Sequence, residues 1–218
     1  MNIVVIAPHP DDEAIGCGGT IGLHVARGDR ISTVFLTSGE LGLKRLPREQ
    51  AWRQRETEAQ TAAEILGTAD LTFLRRADWF VSESVEETAT ALRPILYRES
   101  PSLIYLPHSG EWHPDHTASL SVVRAALRGG EHPQPILRCY EFWTPLGQYD
   151  HVEDITETMA RKLRAIRCYR SQLAEYRYDR AVCGLNQYRG ITAAKCRFAE
   201  VFKDFDVQPT AASTVEAS

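Results

Sequence analysis

MNIVVIAPHPDDEAIGCGGT (Met1–Thr20) leaves an apolar run, presents one imidazole and three carboxylates within a few residues, and then enters a glycine-rich stretch. Asn2 to Ala7 is short, rich in Val and Ile and closed by proline, so it reads as a buried strand. Polar chemistry directly after such a strand sits at its carboxyl end, where open α/β sheets place their ligand crevice. Far along the chain, SLIYLPHSGEWHPDH (Ser102–His116) repeats the arrangement: an apolar strand, then His108, Glu111, His113, Asp115 and His116, then a helix. Two such strands in one parallel sheet carry both clusters to the same edge.

Outward from these anchors, short apolar runs alternate with longer amphipathic stretches, the pattern of strands crossing over through helices. Strands are expected at Asn2 to Ala7, Arg30 to Thr37, Leu71 to Leu74, Ser102 to Leu106 and Ile136 to Phe142. Helices are expected at Gly18 to Arg27, Pro47 to Leu66, Ser84 to Arg98 and Pro114 to Leu127. Gly28 and Gly67 fall where a helix C-terminus prefers glycine, and Pro47 where a first turn tolerates proline. The fold class is α/β, a Rossmann-like three-layer sandwich with a mostly parallel sheet. After Tyr149 the pattern changes to a C-terminal helical extension: Thr156 as a cap, then an apolar stripe through Met159, Leu163 and Ile166 in a helix from Glu157 to Arg170. One domain is expected over residues 1–205, followed by a small, polar, disordered tail over 206–218.

Composition excludes several functions. A net charge of -4 with basic residues scattered among acidic ones gives no attraction to phosphate backbones, so no nucleic-acid partner is expected. No run approaches the ~20 apolar residues of a membrane span, and the N-terminus lacks the charged start and long apolar stretch of a signal peptide. A soluble, cytoplasmic protein is the expectation. Cys17, Cys139, Cys168, Cys183 and Cys196 are odd in number and form no Cys-x-x-Cys pair, and they read as reduced, ordinary residues.

One imidazole and a nearby carboxylate from the first loop, with a second imidazole from the other, would supply three protein ligands to a zinc ion and leave a position open for water. Such water has its pKa lowered towards ~7 and becomes a nucleophile, and a free carboxylate beside it takes the proton. Either cluster alone reads equally well as a turn whose aspartates cap the next helix. Their joint placement after two parallel strands favours the metal. Gly16, Gly18 and Gly19 lack the G-x-G-x-x-G spacing of a dinucleotide fingerprint, which disfavours a nucleotide-dependent oxidoreductase. They read as close helix-to-sheet packing or backbone approach to a ligand.

With PHPDDE (Pro8–Glu13), the glycines up to Thr20, and HPDH (His113–His116), the chain resembles the LmbE-like, PIG-L-like zinc-dependent N-acetylglucosaminyl deacetylases. Weaker echoes are Arg55, Glu58, Ala62, Leu66 and Gly67, then the Ser171-Gln172 and Ala199-Glu200 pairs. The resemblance implies a hydrolase that removes the N-acetyl group of an N-acetylglucosamine-type sugar or glycoside. It implies that His9, Asp12 and His116 bind zinc, or iron in the cell, and that Asp11 is the general base. His113 would stabilise the oxyanion or protonate the leaving amine, and Asp115 would orient that imidazole. Glu13 is left as a capping residue or a support behind the ligands.

By the same resemblance Arg55 and Asp78 fall where relatives contact sugar hydroxyls. Arg53 competes for the arginine role, and an arginine on a long polar helix defaults to the solvated face. Two residues before His113, where some relatives carry a tyrosine, stands Glu111, which brings a carboxylate to the substrate end and removes a tyrosine-assisted step. The rivals are an amidase acting on a larger N-acyl or thiol-sugar conjugate and a zinc-binding protein without turnover. Trp143, Tyr149, Tyr169, Tyr176, Tyr178 and Tyr188 could line the pocket or face a second copy in a homo-oligomer, with packing as the default.

Overall fold

Alternation along β1 (Asn2–Ala7) sends Ile3, Val5 and Ala7 into one apolar cluster and Val4 and Ile6 into another. Successive side chains of a strand point to opposite faces, so the sheet has a core on each side. The computed structural model describes residues 1–129 and 134–207. β2 (Arg30–Thr37) and β4 (Leu103–Pro107) divide in the same way: Phe35 and Tyr105 pack on one face, Val34, Leu36, Ile104 and Leu106 on the other. Each fully buried aliphatic side chain contributes about 1.5–3 kcal/mol, and helices on both faces supply the cover.

With β3 (Asp70–Arg76), β5 (Ile136–Tyr140), β6 (His151–Asp154) and β7 (Ala199–Phe205), the sheet runs in the order β3-β2-β1-β4-β5-β7-β6. The first five strands pair in parallel, with Ile3 opposite both Ile31 and Leu103, while β7 runs antiparallel to β5 and β6. This is the expected three-layer α/β architecture, closed by an antiparallel edge.

The helices are α1 (Asp12–Ala26), α2 (Arg48–Leu66), α3 (Val85–Glu99), α4 (Pro114–Leu127), α5 (Met159–Ile166), α6 (Arg170–Leu173) and α7 (Tyr178–Arg189). Gly28 and Gly67 adopt positive φ just past α1 and α2, as expected of helix ends, and Pro114 occupies the first turn of α4. The helix expected from Glu157 to Arg170 is shorter, ending at Ile166 before a separate turn at α6. The expected start of the first helix at Gly18 is the second half of α1. The helix begins at Asp12 and breaks at Cys17, whose φ of -139 and ψ of 20 are not helical. The strand expected to reach Phe142 stops at Tyr140.

Glycines at the break let α1 approach its neighbours. A methyl group at Gly16 would overlap the Tyr140 ring, and one at Gly19 would lie 2.7 Å from Ile155. Of the two readings of these glycines, the structure supports close packing. Across the break, Glu200 from β7 accepts from the Gly19 and Thr20 main-chain N–H groups at 2.9 and 2.8 Å. That carboxylate caps the second half of α1, and the wholly buried Lys162 of α5 pairs with it at 2.6 Å. The disordered tail expected over 206–218 lies, from residue 208 onward, outside the described residues.

Candidate active site

β1 and β4 are neighbours at the point where the strand order reverses, so their carboxyl-end loops flank the crevice. Thr37 pins the first loop, donating to the Pro8 carbonyl from both its N–H and its hydroxyl at 2.9 Å. Asp11 then precedes α1 with φ 123, a backbone conformation that a side chain rarely adopts. Strain of this kind costs about 1–3 kcal/mol and persists where the surroundings impose it.

His9, Asp12 and His116 each place a ligand atom within 4.8 Å of the others, and all three are buried. Asp12 Oδ2 accepts from His9 N–H at 2.8 Å and lies 3.3 Å from His9 Nδ1 and 3.1 Å from His116 Nε2. Asp12 Oδ1 and His116 Nδ1 are buried without a hydrogen-bond partner, and His116 Nε2, although 3.1 Å from Asp12 Oδ2, is not aligned for a hydrogen bond. Each orphaned polar atom costs about 1–3 kcal/mol. A cation facing Asp12 and one nitrogen of His116 would relieve two of them, and an imidazole–carboxylate–imidazole set suits a divalent metal.

A second group, His9, Asp78, His113 and Asp115, shares His9. Its carboxylates are already engaged. Asp115 accepts from Trp79 and Val81 N–H at 2.8 and 3.0 Å, and Asp78 accepts from Leu41 N–H at 2.9 Å and meets His9 Nε2 at 3.1 Å. The unmet valence therefore belongs to the first group.

Charge follows this geometry. Burial disfavours the Asp12 carboxylate, but the His116 and His9 imidazoles override it and hold its pKa well below the usual range. Asp11 has no such imidazole contact. Burial pushes it well above the usual carboxylate range, opposed by Arg55, whose guanidinium lies 3.4 Å away. Burial and the neighbouring His9 lower His113 to about 4. Glu13 is raised to about 7 by burial, against the Tyr169 hydroxyl that donates to it, and its other oxygen accepts from Asp11 N–H. Glu13 is thus a support behind the ligand loop.

A cleft of about 630 Å³ opens over the cluster, lined by His9, Asp11, Arg55, Asp78 and His113, with Trp79, Trp112, Trp143, Tyr176 and Tyr178 around them. Arg55 departs from the solvated-face default: it is 4% exposed, donates to the Gly39 and Pro10 carbonyls, and reaches the cleft, whereas Arg53 is exposed and pairs with Glu49. Glu111 is turned elsewhere. Its carboxylate accepts from Phe142 N–H at 2.8 Å and Thr144 N–H at 3.2 Å, tying down the loop that carries Trp143. The Asp115 carboxylate likewise makes no hydrogen bond to His113 among the described residues. It is the Asp115 main-chain N–H that meets His113 Nδ1, at 3.3 Å.

The indoles of Trp79 and Trp112 at the cleft were not read from the sequence. No periodicity marks them, because each stands alone in a loop. Trp143, Tyr176 and Tyr178, for which packing was the default, line the cleft, whereas Tyr169 is buried beneath it. The weak sequence echoes pair in space: Glu58 accepts from the Ser171 N–H and hydroxyl, as Glu200 does from Gly19 and Thr20.

Known proteins resemble this chain in sequence and in fold. The PIG-L model, described as GlcNAc-PI de-N-acetylase, matches residues 4–127. The chain is 33% identical over 184 residues to the "Probable N-acetyl-alpha-D-glucosaminyl L-malate deacetylase 2" of Bacillus cereus, covering 78% of this chain and 83% of that protein. It is 31% identical over 195 residues to the diacetylchitobiose deacetylase of Thermococcus kodakarensis, covering 79% and 70%. The crystal structure of a conserved protein from Thermus thermophilus, TT1542, matches with a TM-score of 0.78 at 28% identity, covering 96% of this chain and 97% of that one.

Proposed function

The chain belongs to the PIG-L family of GlcNAc-PI de-N-acetylases, and on that premise we propose that it is a zinc-dependent hydrolase removing the N-acetyl group from an N-acetylglucosamine-type sugar or its glycoside. The observation that carries this reading is the convergence of the buried His9, Asp12 and His116, with polar atoms of Asp12 and His116 lacking partners, beside a cleft lined by His9 and the separate carboxylate of Asp11.

His9, Asp12 and His116 would hold a divalent ion, which would supply the Lewis acidity needed to lower the pKa of water and to polarise an amide carbonyl. Zinc suits the donor set, and iron would be accepted by the same ligands. Asp11 takes the proton from the attacking water, as a buried carboxylate with a raised pKa is suited to do. His113, with Nδ1 accepting from the Asp115 N–H, keeps Nε2 for donation. From there it hydrogen-bonds the oxygen gaining negative charge or the departing amine nitrogen, and the proton that Asp11 took from the water completes the free amine. Asp115 acts through position: its carboxylate holds the Trp79 and Val81 main chain and its N–H orients the imidazole. Products are acetate and the free amino-sugar.

Arg55 and Asp78 are assigned to the sugar hydroxyls, supported by their place in the cleft wall. Glu111 contributes to substrate binding indirectly, by fixing the Trp143 loop. The partner is a small molecule rather than nucleic acid or membrane. No helix among the described residues is long and apolar enough to cross a bilayer. Unpaired cysteines throughout support a reducing, cytoplasmic location.

Acetate release from N-acetylglucosamine and a panel of its glycosides tests the proposal, with Asp11→Ala and His116→Ala beside the wild type. Release by the wild type and a loss of at least ~100-fold in Asp11→Ala is expected, the usual scale for removing a general base. No release from any panel member by metal-loaded protein would overturn the assigned reaction.

A further inference from the structure

We propose that Asp78 and Asp115 jointly hold the Nε2–H of His9, fixing the tautomer of that imidazole and keeping Nδ1 for the divalent ion, so that both carboxylates set metal affinity without ligating. This rests on the metal-dependent reading above.

The two ring nitrogens of His9 face different partners. Nδ1 lies 3.3 Å from Asp12 Oδ2, whereas Nε2 lies 3.1 Å from Asp78 Oδ1 and 3.2 Å from Asp115 Oδ2. A neutral imidazole carries one N–H and one lone pair, and the groups around the ring decide which nitrogen has which. A lone pair at Nε2 would point at two buried carboxylates, so the proton sits there and the lone pair at Nδ1. An imidazole that ligates a metal characteristically donates its other N–H to a carboxylate, which orients the ring and makes it a stronger ligand.

Neither carboxylate is available to ligate instead. Asp115 accepts from the Trp79 and Val81 N–H groups with its two oxygens, and Asp78 Oδ2 accepts from Leu41 N–H. Among the described residues, the buried polar atoms without partners include Asp12 Oδ1 and His116 Nδ1 but no atom of Asp78 or Asp115.

The backbone beside this contact is strained. Asp78 sends its side chain to His9 Nε2, and the next residue, Trp79, donates its main-chain N–H at 2.8 Å to the Asp115 oxygen that meets the same nitrogen. Trp79 does so with φ 76, a left-handed conformation that is an outlier for a bulky side chain and points to a functional constraint. Glu40 fixes the Asp78 N–H in turn at 3.1 Å. Segments following β1, β3 and β4 thus meet at one nitrogen.

The test measures the zinc Kd by competition with a chelator in wild type, Asp78→Ala and Asp115→Asn, with Tm of each metal-free protein recorded. Each variant should bind zinc at least ~10-fold more weakly, the lower end of the range for such partners. In a His9→Gln background Asp78→Ala should change Kd by less than about twofold, because its contact passes through the imidazole. Long-range 1H–15N correlation spectra of the zinc-loaded protein read the tautomer itself, with His9 identified by its absence from His9→Gln. A proton on Nε2 is expected.

Zinc on Nε2, unchanged affinity in Asp78→Ala, or the same loss with and without His9 would overturn the inference. The last result would mean that Asp78 attracts the ion by charge alone. Should Asp115→Asn not fold, Asp78→Ala and the spectrum decide. A loss that depends on His9, in a protein that deacetylates no sugar, leaves the inference standing and defeats only the reaction assigned above. Turnover with unchanged zinc affinity in Asp78→Ala does the reverse, and a wild type that binds no zinc overturns both.

Discussion

Arg55 and Asp11 face each other across 3.4 Å of buried space, the guanidinium reaching from α2 to the strained residue that precedes α1. Arg55 also donates to the Pro10 and Gly39 carbonyls, so one side chain joins the β1 loop, the β2 loop and α2. Removing it leaves buried acceptors unpaired and Asp11 without its compensating charge. Arg55→Ala is expected to cost about 3–5 kcal/mol, the scale for breaking a buried ion pair. Arg55→Lys should recover only part of that loss, because an ammonium cannot span the same acceptors as a planar guanidinium. Urea denaturation of the two variants measures both values.

Lys162 and Glu200 make a second buried pair, outside the cleft lining but joined to α1. Lys162 Nζ also donates to Asn186 Oδ1 at 2.8 Å, and Glu200 receives the Gly19 and Thr20 N–H groups at the helix break. Lys162→Met leaves a buried carboxylate without its cation and should cost about 3–5 kcal/mol. Glu200→Gln weakens the cap while keeping one acceptor. The double variant should fall short of the summed losses by about 0.5–3 kcal/mol, the coupling expected of residues in contact. Additive losses within error would show that the two side chains act independently.

Much of this was legible in the sequence. β1, β2 and β4 announce themselves because both of their faces are buried, which leaves short runs rich in apolar residues, and β5 because Leu137, Cys139 and Tyr140 are buried. The candidate metal-ligand cluster is legible for a related reason: polar residues directly after such strands have little structural reason to be there. β7 was missed because its alternation is broken by Glu200, which is buried to cap α1 rather than exposed as its charge suggests. β6 is four residues long and partly exposed, too short to carry a period. The first half of α1 was hidden by the carboxylates and glycines that suit it to the site. The directions of Glu111 and Arg55 depend on loops and a helix face that meet only in three dimensions.

The glycines at the break give a sharper test of packing. Gly16→Ala drives a methyl group into the Tyr140 ring, whose hydroxyl is fixed on the Ile6 carbonyl at 3.0 Å. Overpacking of this kind should cost about 1–3 kcal/mol. Gly184, inside α7, has nothing within 4 Å of an added methyl. Alanine there should instead stabilise by about 0.5–1 kcal/mol through helix propensity. Thermal melts of the two variants should therefore shift in opposite directions.

A metal held by His9, Asp12 and His116 must stabilise the folded chain by mass action. At a free concentration of 100 times Kd the gain is about 2.7 kcal/mol. Metal-stripped wild type should regain Tm on addition of zinc, whereas His116→Ala should show little or no shift. An equal rise in both proteins would place the bound ion elsewhere.

The most direct test of a metal-dependent deacetylase is the rate of acetate release from an N-acetylglucosamine glycoside by one wild-type preparation, followed through chelation and restoration with one equivalent of zinc or iron. The proposed mechanism predicts turnover that falls to background on chelation and returns with a single equivalent per chain, and no return in Asp11→Ala despite the same bound metal. Turnover that survives complete removal of the metal would contradict the account.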